Sequence, residues 1–223
     1  MRLALCALFV KPRLEKMLRV GLTGSIAVGK SFVSALLAEM GCHVLDADKT
    51  ARAVVAAGTP GLHRVVEAFG DKVLLTNGEL DRARLGAVIF ADEGKRALLN
   101  SILHPYIIAA QDEQLRLWEL DDPHGIAVVD AALMIESGGY HRFDKIIVVH
   151  CRTQAQVERL MKRNSLSREE AERRIAAQMS QEEKMRYADF LIDSSEGFEP
   201  TRHQTAEVYQ ALRHLALAQA ARV

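Results

Sequence analysis

Cysteine is scarce: three in 223 residues, Cys6, Cys42 and Cys151, far apart and in no C-x-x-C arrangement. That excludes a disulfide frame and a cysteine zinc site, and it fits the reduced thiols of a cytoplasmic chain. Cys42 and Cys151 adjoin apolar runs, where a small buried hydrophobe is the expected role. Excess charge is lacking too. Lysine plus arginine equals aspartate plus glutamate, 29 of each, so bulk electrostatics argues for neither a nucleic-acid nor a membrane partner. The opening "MRLALCALFVKPRLEK" has the charged start and apolar centre of a weak signal peptide. Its apolar run is short, no small-x-small cleavage site follows, and it falls far below bilayer-spanning length. Residues 1–16 are therefore read as an extension outside the fold, or as sequence preceding a true start at Met17. Repeats and low-complexity tracts are absent. What remains, 49% apolar and 26% charged, is ordinary for a soluble enzyme. A globule of this length buries roughly 70% of its unfolded surface, enough for a core without cross-links.

Five β-rich runs recur between helical stretches: "LRVGLT" (18–23), "HVLDAD" (43–48), "GIAVVDA" (125–131), "DKIIVVHC" (144–151) and "ADFLIDS" (188–194). Unbroken Val/Ile/Leu runs indicate strands buried on both faces, and their alternation with helices indicates an α/β fold with a parallel sheet. Between the second and third runs, about 50–120, lies a helical stretch too long for a simple crossover, with turns at 57–61 and 76–79. Leu98, Leu99, Ile102 and Leu103 fall at helical spacing within it. After the fourth run, Thr153-x-x-Gln156, Ser167-x-x-Glu170 and Ser180-x-x-Glu183 each fit the capping-box pattern and open arginine-rich helices. The tail from Pro200 to Arg222 reads as a closing amphipathic helix with Val208, Leu212 and Leu215 on one face.

Directly after the first run stands "GSIAVGKS", which fits G-x-x-x-x-G-K-[ST] with Gly24, Gly29, Lys30 and Ser31 in the fixed places. A chain that wraps a polyphosphate with its own amides needs glycine where a Cβ would clash or where φ is positive. The following helix points free N–H groups and its positive dipole end at the anion. Lys30 is expected to reach the β- and γ-phosphates and Ser31 to offer its hydroxyl to Mg²⁺. The expected ligand is accordingly a nucleoside triphosphate, held along Gly24, Ser25, Ile26, Ala27, Val28, Gly29, Lys30, Ser31 and Phe32. Asp130, ending the third run, is in the place where P-loop proteins hold an acid near Mg²⁺. Asp46 and Asp48 end the second run, at the strand edge that faces ligand in an open parallel sheet. Alternation points both carboxylates the same way, and one of them can take a proton from an attacking hydroxyl. A pair of aspartates capping the next helix explains the same residues equally well.

Taken in order, "VGLTGSIAVGKS", "HVLDADKTAR", "LLNSILHPYI", "ALMIE", the helix with Arg159 and Arg163, "RIAAQ" and "ADFLID" resemble the dephospho-CoA kinases, from about Met17 to the C-terminus. The resemblance implies a P-loop kinase fold: a five-stranded parallel sheet flanked by helices, with a helical acceptor-binding insertion and an arginine-rich lid. Core 17–49, 121–152 and 186–223, acceptor region 50–120 and lid 153–185 are the implied parts. The implied reaction is ATP-dependent phosphorylation of the ribose 3′-hydroxyl of dephospho-CoA, the last step of coenzyme A synthesis. By matching positions, Asp48 is the catalytic aspartate, Asp46 supports the site, Thr23 is an active-site threonine and Arg159 the lid arginine, with Arg163 sharing its helix face. His104 can be read as a base or as a cap of the turn that Pro105 enforces, but acceptor binding is the preferred role, with Arg52 and Leu133 as further candidates for that pocket. The chain departs from the family pattern at Ser25 and Ala27 (usually glycine), Val28 (serine), Phe32 (threonine), Ala132 (proline) and Ser194 (asparagine). These bear on nucleotide affinity and base preference rather than on the reaction. From the residues alone, another P-loop kinase of small metabolites or nucleosides fits as well. A nucleotide-dependent switch is opposed by the absence of a clear water-positioning residue.

Overall fold

Residues 17–221 are described by the computed structural model of the chain. The expected extension, with Cys6, lies outside the described residues, as does Arg222. Five strands form one sheet: β1 (Leu18–Thr23), β2 (His43–Asp46), β3 (Ile126–Asp130), β4 (Lys145–His150) and β5 (Phe190–Asp193), in the order β2-β3-β1-β4-β5. Every pairing is parallel. The unbroken apolar runs have the cause inferred for them, because both faces are covered. On one face Val20, Leu22, Val128, Ile147 and Ile192 pack with Val33 and Leu37 of α1 (Lys30–Glu39) and Leu212 of α9 (Phe198–Ala220). On the other, Ala127, Val129, Ile146 and Val148 meet Leu45, Leu115 and Met134. Burying one such aliphatic side chain is worth roughly 1.5–3 kcal/mol, so these two layers dominate the stability.

Register places Leu22 and Asp46 each opposite Asp130. The carboxyl ends of β1, β2 and β3 are therefore level, and the loop after Thr23 starts beside two acids. Strand β2 stops at Asp46 rather than continuing to Asp48. Asp46 is the N-cap of α2 (Ala47–Ala53), its carboxylate accepting the Lys49 amide at 3.0 Å. An aspartate after a short apolar run satisfies a helix's orphan amide better than it extends a strand. Asp48 consequently sits in the first turn of α2, and the strand alternation assumed for the pair does not apply.

The stretch after α2 holds α3 (Pro60–Phe69), α4 (Arg82–Phe90) and α5 (Glu93–Asp121). It builds its own apolar cluster around Val55, Leu62, Val65, Leu85 and Leu99. Ile102 and Leu103 pack against that cluster, while Leu98 is 44% exposed. Helix α5 runs 29 residues with Pro105 inside it, so Pro105 does not make the turn expected of it. The helix survives one missing rung because packing seats it on both sides, Leu99 in the insertion cluster and Leu115 against the sheet.

Three helices follow β4: α6 (Thr153–Asn164), α7 (Arg168–Ala176) and α8 (Gln181–Met185). Ser167 and Ser180 form the two capping boxes with Glu170 and Glu183. Thr153 forms none; Arg152 is the N-cap and Gln156 is buried on other work. In α9 the inward residues are Val208, Leu212 and Ala216, spaced by four, and Leu215 is turned out at 36% exposure.

Candidate active site

The loop from Gly24 to Phe32 walls a cavity of about 760 Å³ at the sheet's carboxyl edge. Its shape depends on two glycines for different reasons. A Cβ on Gly24 would stand 2.6 Å from the Val149 carbonyl oxygen, so only glycine lets the loop leave β1 so closely. Gly29, the N-cap of α1, has φ +87°, a left-handed conformation that costs other residues roughly 1–2 kcal/mol. Ala27 adopts φ +62° without being glycine. In the first turn of α1 the Phe32 amide donates to the Gly29 carbonyl at 3.0 Å, while the Lys30 and Ser31 amides come too early in the helix for such a partner.

Lys30, which lines this cavity, makes a direct ion pair with Asp130 behind it, the side chains being 17% and 10% exposed. Burial lowers the Lys30 pKa below the ordinary lysine value; the Asp48 and Asp46 carboxylates oppose that shift and the Lys184 ammonium adds to it. Arg159 donates to the Ser194 hydroxyl at 3.0 Å and to its carbonyl at 2.7 Å, and that hydroxyl donates to the Val28 carbonyl at 2.6 Å. Serine in place of the family's asparagine thus ties the arginine to the loop. Arg163 lines the same cavity and donates to Asn164 Oδ1 at 2.9 Å. Among the described residues neither arginine is paired with a carboxylate, leaving both guanidinium groups for an anion. Phe32 meets the Phe198 ring edge-on at 4.9 Å, and Phe198 lines the far end of the cavity with Gly197 and Thr201.

Two further cavities adjoin. One, about 450 Å³, lies between β3, the segment after it and α5, and is lined by His104, Leu133, Glu136 and Arg142 among others. The second, about 320 Å³, lies between α2, α4 and α5, with Arg52 and Arg82 in its lining. Asp48 lines all three. This convergence explains why the residue belongs on a helix start: the first turn of α2 pushes its carboxylate into the space where the cavities meet.

Several expected site residues stand elsewhere. Thr23 is fully buried, its hydroxyl donating to the Ala132 carbonyl at 3.2 Å, and it lines none of the three cavities. It supports the cavity wall through Ala132, which lines two of the cavities. Asp46 is occupied as the α2 cap and likewise lines no cavity, acting on the site through its charge on Lys30. Arg52 is separated from His104 and Leu133, which share the larger of the two adjoining cavities.

Other residues gave little signal in the sequence. Gln178 accepts the Ile26 amide at 2.8 Å and Gln156 donates to the Ile26 carbonyl at 2.8 Å, clipping the loop to the arginine-bearing helices. Lys184 has no exposed side-chain surface; its ammonium pairs with Glu136 at 2.8 Å and donates to the Ala132 carbonyl at 2.7 Å. The capping box at Ser180 announces the helix through "QEEKM", but nothing in that stretch marks Lys184 as its buried residue.

The donor chemistry suits a hard divalent ion. Ser31 lines the first cavity, while Asp130, which lines none of the three, reaches it only through its ion pair with Lys30. No group of three His, Cys, Asp or Glu side chains forms a metal cage among the described residues. Magnesium characteristically needs only one or two protein ligands, taking the rest from phosphate and water, so this sparse set fits it. Among the described residues no helix is long and apolar enough to cross a membrane.

Comparison with known proteins agrees with this geometry. The family profile described as dephospho-CoA kinase matches residues 18–199. The chain is 40% identical over 200 residues to the dephospho-CoA kinase of Streptomyces avermitilis, covering 90% of this chain and 96% of that one. It is 44% identical over 190 residues to the dephospho-CoA kinase of Geobacillus kaustophilus, covering 84% and 92%. Among solved structures it resembles the dephospho-CoA kinase from Campylobacter jejuni with a TM-score of 0.67 and 29% identity, over 88% of this chain and 97% of that one. TT1252 from Thermus thermophilus superimposes with a TM-score of 0.76 at 28% identity, over 88% and 97%.

Proposed function

The chain belongs to the dephospho-CoA kinase family, and from that membership we propose that it moves the terminal phosphoryl group of ATP to the ribose 3′-hydroxyl of dephospho-CoA, giving coenzyme A and ADP. The observation that carries this reading is the position of Asp48, which lines the phosphate cavity and both acceptor-side cavities. A hydroxyl presented there sees the donor on one side and a carboxylate on the other.

In this reading the amides from Gly24 to Ser31 and the Lys30 ammonium hold the triphosphate, Lys30 exchanging Asp130 for phosphate oxygens. Charge-assisted hydrogen bonds of this kind contribute roughly 1.5–3 kcal/mol each. Arg159 and Arg163 neutralise the charge that spreads over the transferring group and help exclude water. Asp48 accepts the proton of the attacking hydroxyl as its oxygen bonds to phosphorus and the bond to ADP breaks. Ser31 and Asp130 are the residues that would hold Mg²⁺, which when bound neutralises phosphate charge. Residues 50–120 serve as the acceptor region and 153–185 as the lid.

Incubation with ATP, Mg²⁺ and dephospho-CoA, read by product mass, tests the reaction directly, with nucleosides and nucleoside monophosphates as competing acceptors. Preference for one of the latter would reject the acceptor. Asp48→Asn should retain ATP binding while turnover falls by about 10²–10⁴. Undiminished turnover would remove Asp48 as the proton acceptor.

A further inference from the structure

Dephospho-CoA, the acceptor of the proposed reaction, carries three groups around one ribose: the reacting 3′-hydroxyl, a base, and a diphosphate that continues into a long pantetheine chain. The two acceptor-side cavities adjoin at Asp48 and Ala51, which line both. A ribose at that junction must send its base one way and its diphosphate the other. Which way is decided by charge.

The larger cavity is unsuited to the anion. Apart from Asp48, which both cavities share, its acid is Glu136, already paired with the Lys184 ammonium, so this cavity offers an anion no net positive charge. Its one arginine, Arg142, is already committed to Gln111 Oε1 at 2.7 Å and Asp112 Oδ1 at 2.6 Å. Its walls include Ile107, Met134 and Phe143, surfaces for a flat heterocycle. The smaller cavity is the reverse. Arg52 and Arg82 stand in its lining, and among the described residues neither guanidinium is paired with a carboxylate. Arg82 donates to the Arg52 backbone carbonyl at 3.3 Å, which ties its guanidinium to α2 at the residue that shares the cavity lining with it. Leu85, Leu99 and Leu103 lie behind them.

We propose that Arg52 and Arg82 form the diphosphate subsite of the acceptor, with the pantetheine chain running over the leucine wall and the base in the neighbouring cavity. Two uncompensated guanidinium groups are a bidentate match for phosphate oxygens. This assignment rests on the proposed function for the identity of the acceptor; the placement of its charged arm is the new element. Arg82 had no sequence signal, since it opens a helix whose partner, α2, is some 30 residues earlier.

The test is calorimetric binding of dephospho-CoA and of adenosine, with a non-hydrolysable ATP analogue saturating the phosphate cavity. Arg52→Gln and Arg82→Gln should each weaken dephospho-CoA binding roughly tenfold, leave adenosine binding and KM for ATP unchanged, and leave the melting temperature near wild type. Arg82→Lys, which keeps the charge, should recover part of the loss. Salt dependence of dephospho-CoA binding should flatten in the double variant. Equal losses for both ligands, wild-type salt dependence in the double variant, or a dephospho-CoA-selective loss produced by Arg142→Gln instead would each overturn the assignment. Wild-type enzyme that fails to phosphorylate dephospho-CoA would defeat the functional reading itself, an outcome distinct from all of these.

Discussion

Replacing Lys184 by methionine should destabilise the fold and loosen the partition between donor and acceptor cavities. Lys184 has no exposed side-chain surface, and its ammonium is shared between Glu136 at 2.8 Å and the Ala132 carbonyl at 2.7 Å. Breaking a buried ion pair from one side typically costs about 3–5 kcal/mol, because a charge is left without its partner. Two features reduce that here. The Glu136 side chain keeps 22% exposure, so water can reach it, and the Ala132 carbonyl retains the Thr23 hydroxyl at 3.2 Å. Methionine also preserves most of the volume, limiting any cavity. The expected cost is about 2–3 kcal/mol, which for a chain of this size lowers the melting temperature by roughly 4–12 °C. Glu136→Gln should cost about 1 kcal/mol, since the amide oxygen still accepts from the ammonium. Thermal unfolding of wild type, both single variants and the double variant gives the coupling directly. Because Ala132 lines both the phosphate cavity and the larger acceptor cavity, Lys184→Met should also raise KM for both substrates. A methionine variant melting within about 1 °C of wild type, or strictly additive single effects, would refute the claim that this pair holds the partition.

Other expectations follow from the same site. Ala27→Gly should raise the melting temperature by about 1–3 °C, strain relieved at φ +62° slightly outweighing added chain entropy; a fall would mean the loop is unstrained. In the nucleotide-free chain, Lys30 has a folded pKa depressed by burial. Over the pH interval from that lowered value up to the ordinary lysine range the unfolded chain binds the extra proton, so wild-type stability relative to Lys30→Met should rise with pH there. Denaturant midpoints against pH measure this, and a declining difference would show the ammonium is welcomed by the fold rather than resisted. Burial pushes the Cys42 thiol up to about 12 and raises that of Cys151. In a Cys6→Ser chain, iodoacetamide at mildly alkaline pH should therefore label neither cysteine until denaturant is added; labelling of the native chain would contradict their burial.

The phosphate loop was legible in sequence because its requirements are local. Glycine spacing, a preceding strand and a following helix are all contiguous, and Gly24 and Gly29 meet the steric demands that the spacing implies. The parallel sheet was legible for a similar reason, since burial on both faces writes itself as unbroken apolar runs. Failures came where one residue serves two local rules. Asp46 satisfies a strand end and a helix cap equally on paper, and capping won. Thr153 and Gln156 have the spacing of a capping box, but Gln156 is worth more clamping Ile26 across 130 residues than closing its own helix. Pro105 looks like a helix end until packing on both sides of it is known. The Lys184–Glu136 pair and the Arg52–Arg82 cluster join segments remote in the chain, and no periodicity announces such contacts.

Pro105 has a mechanical meaning as well. It deprives α5 of the hydrogen bond that would run to the Ser101 carbonyl, between the two points where the helix is seated, Leu99 and Leu115. His104, Ile107 and Ile108, flanking that missing rung, form one wall of the larger acceptor cavity. Among the described residues, the longest helix thus has its one proline-broken rung in the side of a cavity. A bend there would move that wall while Leu99 and Leu115 keep the helix on its two seats, so the sheet and the loop after β1 need not shift with it.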